Sequence, residues 1–297
     1  MTSSWRTSAY RALMQHNPLL PFRGRLNWLS GATLIPDGLV VETKYGMCIR
    51  IHDDEMYRSL YLTGVYEPFH TKIYSRIVRP EATVLDVGTN FGWYAALFSG
   101  WVGPNGSVHA FEPVPFIYEY AEETLRLNRC ACNVRLNRCA LGARKEGIRI
   151  YTFDNLPHGH ACTTDLGRDD ALPHDCEAVT LDEYVQAAGV QHCLFMKIDV
   201  EGHELEVFRG GASFLKRDWA PIIGFEVNLE CLGHRRLRPG DLMDCLRSYG
   251  YTDFFSFSAR GGIQKATELG SASDYLALKP ERRPDVAAAL KTGRLLL

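Results

Sequence analysis

Two stretches of the chain carry residues whose types and spacing could do chemistry. The first is Asp86-Val-Gly-Thr-Asn-Phe-Gly92, with Glu112 twenty residues after its second glycine. Gly88 and Gly92 allow tight backbone geometry and close approach of a ligand to the main chain. A carboxylate at Glu112 can accept both hydroxyls of a ribose. A dinucleotide fingerprint would need glycine where Asn90 stands, since a side chain there crowds the pyrophosphate. No Lys-Ser/Thr pair follows to grasp phosphates either. The nucleoside that fits carries no phosphate: S-adenosylmethionine, whose amino-acid end Asp86 can meet. Pro113 beside Glu112 belongs to the same group. Ala140, in Cys139-Ala-Leu141, is small enough to leave room for adenine, and Tyr66-Glu67 can fold over the amino-acid end.

The second stretch is Met196-Lys-Ile-Asp-Val-Glu-Gly-His-Glu204, joined by Glu226 and Asn228 from a later strand. Grouped carboxylates raise one another's proton affinity and persist where they bind cations or move protons. Methyl transfer to an alcohol needs alignment and removal of one proton. His203 is the expected base, oriented by Asp199 or Glu226, with Asp199 also facing the cofactor. No metal is expected, and a divalent cation on Asp199, Glu201 and Glu226 is the alternative reading. Glu204 and Glu206 read as acids favoured in the first turn of a helix. His158, His160, Cys162, His174 and Cys176 match no standard zinc spacing. They fall in a Gly-, Pro- and Asp-rich insertion over 154–178 that is expected to face the acceptor. The basic run Arg235-Arg-Leu-Arg238 reads as a solvated face.

The elements that must position these residues alternate strand and helix from Ala82 onward, the pattern of a parallel sheet covered on both faces. Strands are expected at 83–87, 107–111, 134–136, 194–198 and 222–227, and an antiparallel pair at 253–257 and 274–278. The fold class is α/β: a class I methyltransferase-type, Rossmann-like doubly wound sheet with a small N-terminal extension. Residues 1–38 read as a leader, 39–80 as a hairpin and helix packed on the cofactor domain, 81–280 as that domain, and 281–297 as a tail.

Composition narrows the partners. A net charge of -2 over 297 residues gives no general pull toward nucleic acid or anionic membrane. No window approaches the ~18 apolar residues of a membrane span. The first residues lack the apolar region of a secretory signal, and nine irregularly spaced cysteines suggest no disulfide ladder. Arg6, Arg11, Arg23 and Arg25 could imitate an organelle transit peptide, but a cytoplasmic location is the simpler expectation.

Asp86-Val-Gly-Thr-Asn-Phe-Gly-Trp-Tyr94, Phe111-Glu-Pro-Val-Pro115, Asn128, Ala140-Leu-Gly142, Leu181-Asp-Glu-Tyr184, Lys197-Ile-Asp-Val-Glu-Gly-His-Glu-Leu-Glu-Val207 and Phe225-Glu226 recur in order. In these motifs the chain resembles the FkbM-type methyltransferases over roughly residues 82–258, with Tyr66-Glu-Pro68 matching the approach to the domain. The resemblance implies a class I S-adenosylmethionine-dependent fold and O-methylation of polyketides, sugars or lipooligosaccharides. The partner expected is a small-molecule or saccharide acceptor. Competing readings are N- or C-methylation, 2′-O-methylation of RNA, a nicotinamide-dependent reductase, and a non-catalytic interaction module.

Overall fold

The computed structural model describes residues 38–52, 54–257, 262–270, 273–281 and 283–291. Of the expected leader at 1–38 they include residue 38 alone, and of the expected tail at 281–297 they include 281 and 283–291.

The chain opens with a hairpin, β1 (Val40–Glu42) against β2 (Cys48–Arg50). Helix α1 (Glu55–Thr63) follows, capped by Asp54, whose side chain accepts the Met56 N–H at 2.8 Å. Gly64, at φ 69°, ends it. The sequence reading placed no helix there. Helix α2 (Pro68–Ile77) buries Ile73, Tyr74 and Ile77, and its proline stands at the start, where a missing N–H costs nothing.

The alternating units come next: β3 (Thr83–Val87), α3 (Trp93–Val102), β4 (Ser107–Phe111), α4 (Pro115–Leu127) and β5 (Val134–Asn137). Short β6 (Ala140–Leu141) leads to β7 (Glu146–Phe153) and β8 (Ala171–Val179), then to α5 (Leu181–Ala187). Strand β9 (Phe195–Ile198) precedes α6 (Glu204–Gly210) and α7 (Ala212–Leu215), and β10 (Ile222–Glu226) precedes α8 (Leu229–His234) and α9 (Pro239–Ser248). The last elements are β11 (Asp253–Phe257), β12 (Ile263–Lys265), β13 (Asp274–Leu278) and α10 (Pro284–Lys291).

The central sheet has the order β12-β11-β13-β10-β9-β3-β4-β5. Strands β5, β4, β3, β9 and β10 are parallel, whereas β13 runs antiparallel between β10 and β11. Neighbouring residues of the parallel strands feed opposite faces. Val84 and Phe195 join one apolar cluster, while Leu85, Val87, Met196 and Ile198 join the other. This two-sided burial is what near-continuous apolar strands require. The chain runs outward from β3 to β5, then returns to place β9 on the other side of β3. That reversal opens a crevice beyond the carboxyl ends of β3 and β9, the usual place for a ligand in such sheets.

Part of the expected insertion is regular structure. Residues 171–179 form β8, paired antiparallel with all of β7 and parallel with β6. This three-stranded sheet forms a side wall of the crevice.

Candidate functional site

A cavity of about 400 Å³ occupies the crevice. Its floor comes from the ends of β3, β4, β9 and β10, and its rim from Tyr66, Glu67 and the loop at 157–163.

Within the glycine turn, the residues do different jobs. Gly88 has φ 78°, and a Cβ on it would fall 1.9 Å from the Asp199 carbonyl oxygen. Glycine is required there because two strand ends meet backbone to backbone. Gly92, at φ 83°, does not line the cavity; a Cβ on it would fall 3.2 Å from the Ala121 backbone of α4. Asp86 is fully buried and lies under the floor, accepting the Thr89 hydroxyl at 2.5 Å. It therefore supports the turn from below, where a direct contact with a ligand's amino group was expected. Burial raises its pKa, while Lys197 pulls the other way. Asn90, at φ 51°, lines the cavity and donates its backbone N–H to Glu112 at 3.1 Å.

Glu112 closes β4 and lines the cavity with Pro113 and Ala140. Its second oxygen accepts the Val114 N–H at 3.0 Å. Each carboxylate oxygen has two acceptor positions, so one on each is left for a ligand hydroxyl. Burial pushes its pKa up to about 7. The residues fit a ribose at Glu112 and a small flat ring beside Ala140.

The acidic edge is assembled by β9 and β10. The Lys197 ammonium lies 2.9 Å from Asp199 Oδ2 and 5.1 Å from the centre of the Tyr94 ring. Burial opposes a charge on Asp199, yet Lys197 and a hydrogen bond with Glu226 hold its pKa below the usual value. Burial and the Asp199 charge push Glu226 well above the carboxylate range. The two groups are thus pushed in opposite directions, Asp199 toward its charged form and Glu226 toward its neutral one. Glu201, also raised by burial and Asp199, stands at φ 50° and accepts from Asn228. Carboxylate atoms of Asp199, Glu201 and Glu226 lie within 4.8 Å of one another, the one such grouping among the described residues. Lys197 pairs with this grouping at Asp199, and Asn228 donates to it at Glu201.

His203 has a different neighbour from the one expected. Arg235, which can only donate, lies 3.0 Å from His203 Nδ1. The neutral ring must then carry its proton on Nε2. Burial and the Arg235 charge lower its pKa to about 4. A carboxylate-oriented base is thus replaced by a neutral hydrogen-bond donor. His203 also borders a second cavity of about 280 Å³, lined by Arg144, Glu206 and Arg235. Arg235 is not on a solvated face, since it also donates to the Gly202 carbonyl at 2.7 Å and pairs with Glu206 at 3.0 Å.

Glu67 begins α2 at φ 44°, lines the cavity and accepts the Tyr94 hydroxyl at 2.7 Å. Burial raises its pKa, against the pull of His70 and Lys197. Lys197 and His160 also line the cavity, although the sequence pattern assigns neither a role in it. Lys197 shares a strand face with Asp199, as their two-residue spacing could have revealed. His160 reaches Glu201, Nδ1 to Oε1, at 3.5 Å across a gap of forty-one residues with no local signal. The other histidines and cysteines of that insertion go to separate partners. His174 meets Thr152 at 2.9 Å, Cys176 donates to the Pro113 carbonyl and Cys162 to that of Thr164. The His158 side chain lies outside the described residues.

The family described as "Methyltransferase FkbM domain" matches residues 86–252. A curated relative, methyltransferase sdnD of Sordaria araneosa, is 25% identical over 154 residues, 43% of this chain. The match spans 59% of that relative's length. Among solved structures, an S-adenosylmethionine-dependent O-methyltransferase from Thermotoga maritima aligns at 11% identity and TM-score 0.40, covering 81% of this chain and 76% of its own. A precorrin-6y C5,15-methyltransferase from Geobacter metallireducens aligns at 13% identity and TM-score 0.40, covering 72% and 87%.

Proposed function

Since the chain belongs to the FkbM methyltransferase family, we propose that it transfers a methyl group from S-adenosylmethionine to an oxygen of a small or medium-sized acceptor. The observation that carries this reading is one cavity lined both by a ribose-type acceptor, Glu112, and by the clustered carboxyl groups of Asp199, Glu201 and Glu226. When bound, S-adenosylmethionine supplies an electrophilic methyl on a positively charged sulfur.

Glu112 would hold the ribose, Ala140 would leave space for adenine, and Glu67 would face the amino-acid end. Asp199 carries the negative charge of the acid group and is the residue placed to accept a hydroxyl proton. Glu226 and Glu201 hold that oxygen in a fixed hydrogen-bonded array. His203 offers its Nε2 proton at the boundary of the two cavities, where it can steady the acceptor. The larger part of a natural product, sugar or lipid-linked saccharide would extend into the second cavity. Oxygen as the atom methylated is supported by the acid group, because an alcohol, unlike a free amine, must lose a proton during the transfer. Nine free thiols agree with a reducing, cytoplasmic setting. No helix among the described residues is long and apolar enough to cross a membrane.

Calorimetric titration with S-adenosylhomocysteine, and NADH in parallel, tests the reading. Micromolar binding of the first alone is expected. A folded protein that binds neither would leave the interaction-module reading in its place. With an acceptor found by screening hydroxylated compounds, Asp199→Asn is expected to slow turnover by about a hundredfold or more, the scale of general-base catalysis. His203→Ala should cost about tenfold in turnover, the scale of one neutral hydrogen bond, with S-adenosylhomocysteine affinity kept within about twofold. Unchanged turnover in either variant removes that residue from the mechanism. Dialysis against a chelator is expected to leave turnover intact, and loss restored by magnesium would reinstate a cation on Asp199, Glu201 and Glu226.

A further inference from the structure

The charge balance of the main cavity is lopsided. Among the described residues, six carboxyl side chains line it: Glu67, Glu112, Asp199, Glu201, Glu226 and Asp274. Lys197 is the only lysine or arginine in that lining. The residue is nearly buried, at 6% exposure, and its ammonium's one hydrogen bond is to Asp199. An ammonium has three donors, so two remain for the cavity. The Tyr94 ring under it accepts none of these as a conventional hydrogen bond, and contributes only a cation–π attraction. Strand register fixes the position. Lys197 is paired with Asp86 of β3 at the switch point, between the glycine turn and the acidic edge.

S-Adenosylmethionine ends in an amino acid, so it brings a carboxylate as well as an ammonium. Six acids suit the ammonium and repel the carboxylate. A carboxylate entering such a cavity needs a cation, and the lining offers one. We propose that Lys197 receives the α-carboxylate of the cofactor, with Glu67 across the cavity facing the ammonium. Asp86, buried beneath, then acts as a positioning residue that keeps Lys197 charged and aimed upward. This deepens the proposed function and rests on it.

The test pairs a cut ligand with a cut side chain, and reads binding. S-Adenosylhomocysteine and its decarboxylated form, 5′-(3-aminopropyl)thioadenosine, are titrated calorimetrically into the wild type and into Lys197→Met. The wild type is expected to prefer the intact ligand by about 30-fold, the scale of a hydrogen bond to a charged group. In Lys197→Met that preference should shrink to within about threefold, because the loss of the pair with Asp199 falls on both ligands alike and only the contact with the carboxylate distinguishes them. Should the buried methionine beside Asp199 prevent folding, Lys197→Met combined with Asp199→Asn removes both charges and takes its place. A preference that survives in the variant would overturn the inference and hand the carboxylate to main-chain N–H groups. Equal binding of the two ligands by the wild type would overturn it as well. Failure of the wild type to bind S-adenosylhomocysteine at all would sink the functional reading first, and is a separate outcome.

Discussion

Replacing Glu112 with alanine is expected to weaken S-adenosylhomocysteine binding at least tenfold, about 1.4 kcal/mol or more. Two losses coincide in that change. The ligand's hydroxyls lose their acceptor, and the Asn90 and Val114 N–H groups lose theirs. The second loss distorts the glycine turn even before a ligand arrives, so thermal stability should fall too. Each stranded buried donor costs about 1–3 kcal/mol. Glu112→Gln separates the two effects: its amide oxygen keeps one N–H partner, and its amide nitrogen cannot serve the other. An affinity unchanged in both variants would remove the ribose assignment.

The same residue predicts a pH signature. Burial lifts its pKa from 4.5 to about 7. Between those values the folded protein binds more protons than the unfolded chain, so the stability Glu112 contributes is fully present below 4.5 and is lost as pH rises through 7. The ceiling on that loss is about 3 kcal/mol at ~1.36 kcal/mol per pKa unit. A ribose favours the ionised form, which accepts the stronger hydrogen bond. Binding near pH 7 should therefore release part of a proton, and the titration heat should depend on the buffer's own ionisation heat. Glu112→Gln should abolish that dependence. Proton release that persists in the variant would assign it to another acid.

Gly88→Ala is expected to have the largest structural effect of any single methyl added to the turn. The new carbon would lie 1.9 Å from the Asp199 carbonyl oxygen, and the backbone is held at φ 78°. Neither partner is a flexible side chain, so β3 and β9 must separate at the switch point. A loss on the order of 4 kcal/mol is expected in urea unfolding, at the upper end of point-mutant effects. Gly46→Ala supplies the contrast. Its φ is 71°, yet nothing lies within 4 Å, so only the conformational cost remains, about 1 kcal/mol. Equal effects at the two glycines would show that the close approach to Asp199 does not matter to stability.

What could be read from the sequence followed from short-range rules. The strand at Thr83–Val87 was visible because a run buried on both faces is apolar throughout, and Glu112 because it ends the next such strand. The alternation of strand and helix then fixed the parallel part of the sheet. Helix Glu55–Thr63 was hidden, for its composition is mixed and its signals are an Asp54 cap and a closing Gly64 in an unremarked stretch. Strand β8 was hidden by the very polarity that suggested a loop, because its exposed side chains alternate on a sheet with one wet face. Arg235 meeting His203, and His160 meeting Glu201, join segments thirty-two and forty-one residues apart. No local pattern encodes such pairs. They decide which nitrogen of His203 carries the proton and which carboxylate His160 meets.

The position of β13 has a consequence for how the protein is made. Among the described residues it is the last strand in chain order, after β11 and β12, yet it fills an interior slot of the sheet between β10 and β11. Until Asp274–Leu278 emerges, both of those earlier strands have an open edge, the kind that invites pairing with another chain. Asp274, which lines the main cavity, arrives on the same strand. A nascent chain halted after Phe257 would thus hold a nearly complete cofactor domain with an unfinished cavity wall and two edges prone to aggregation. Completion of the cavity and protection of the sheet thus fall to one and the same strand.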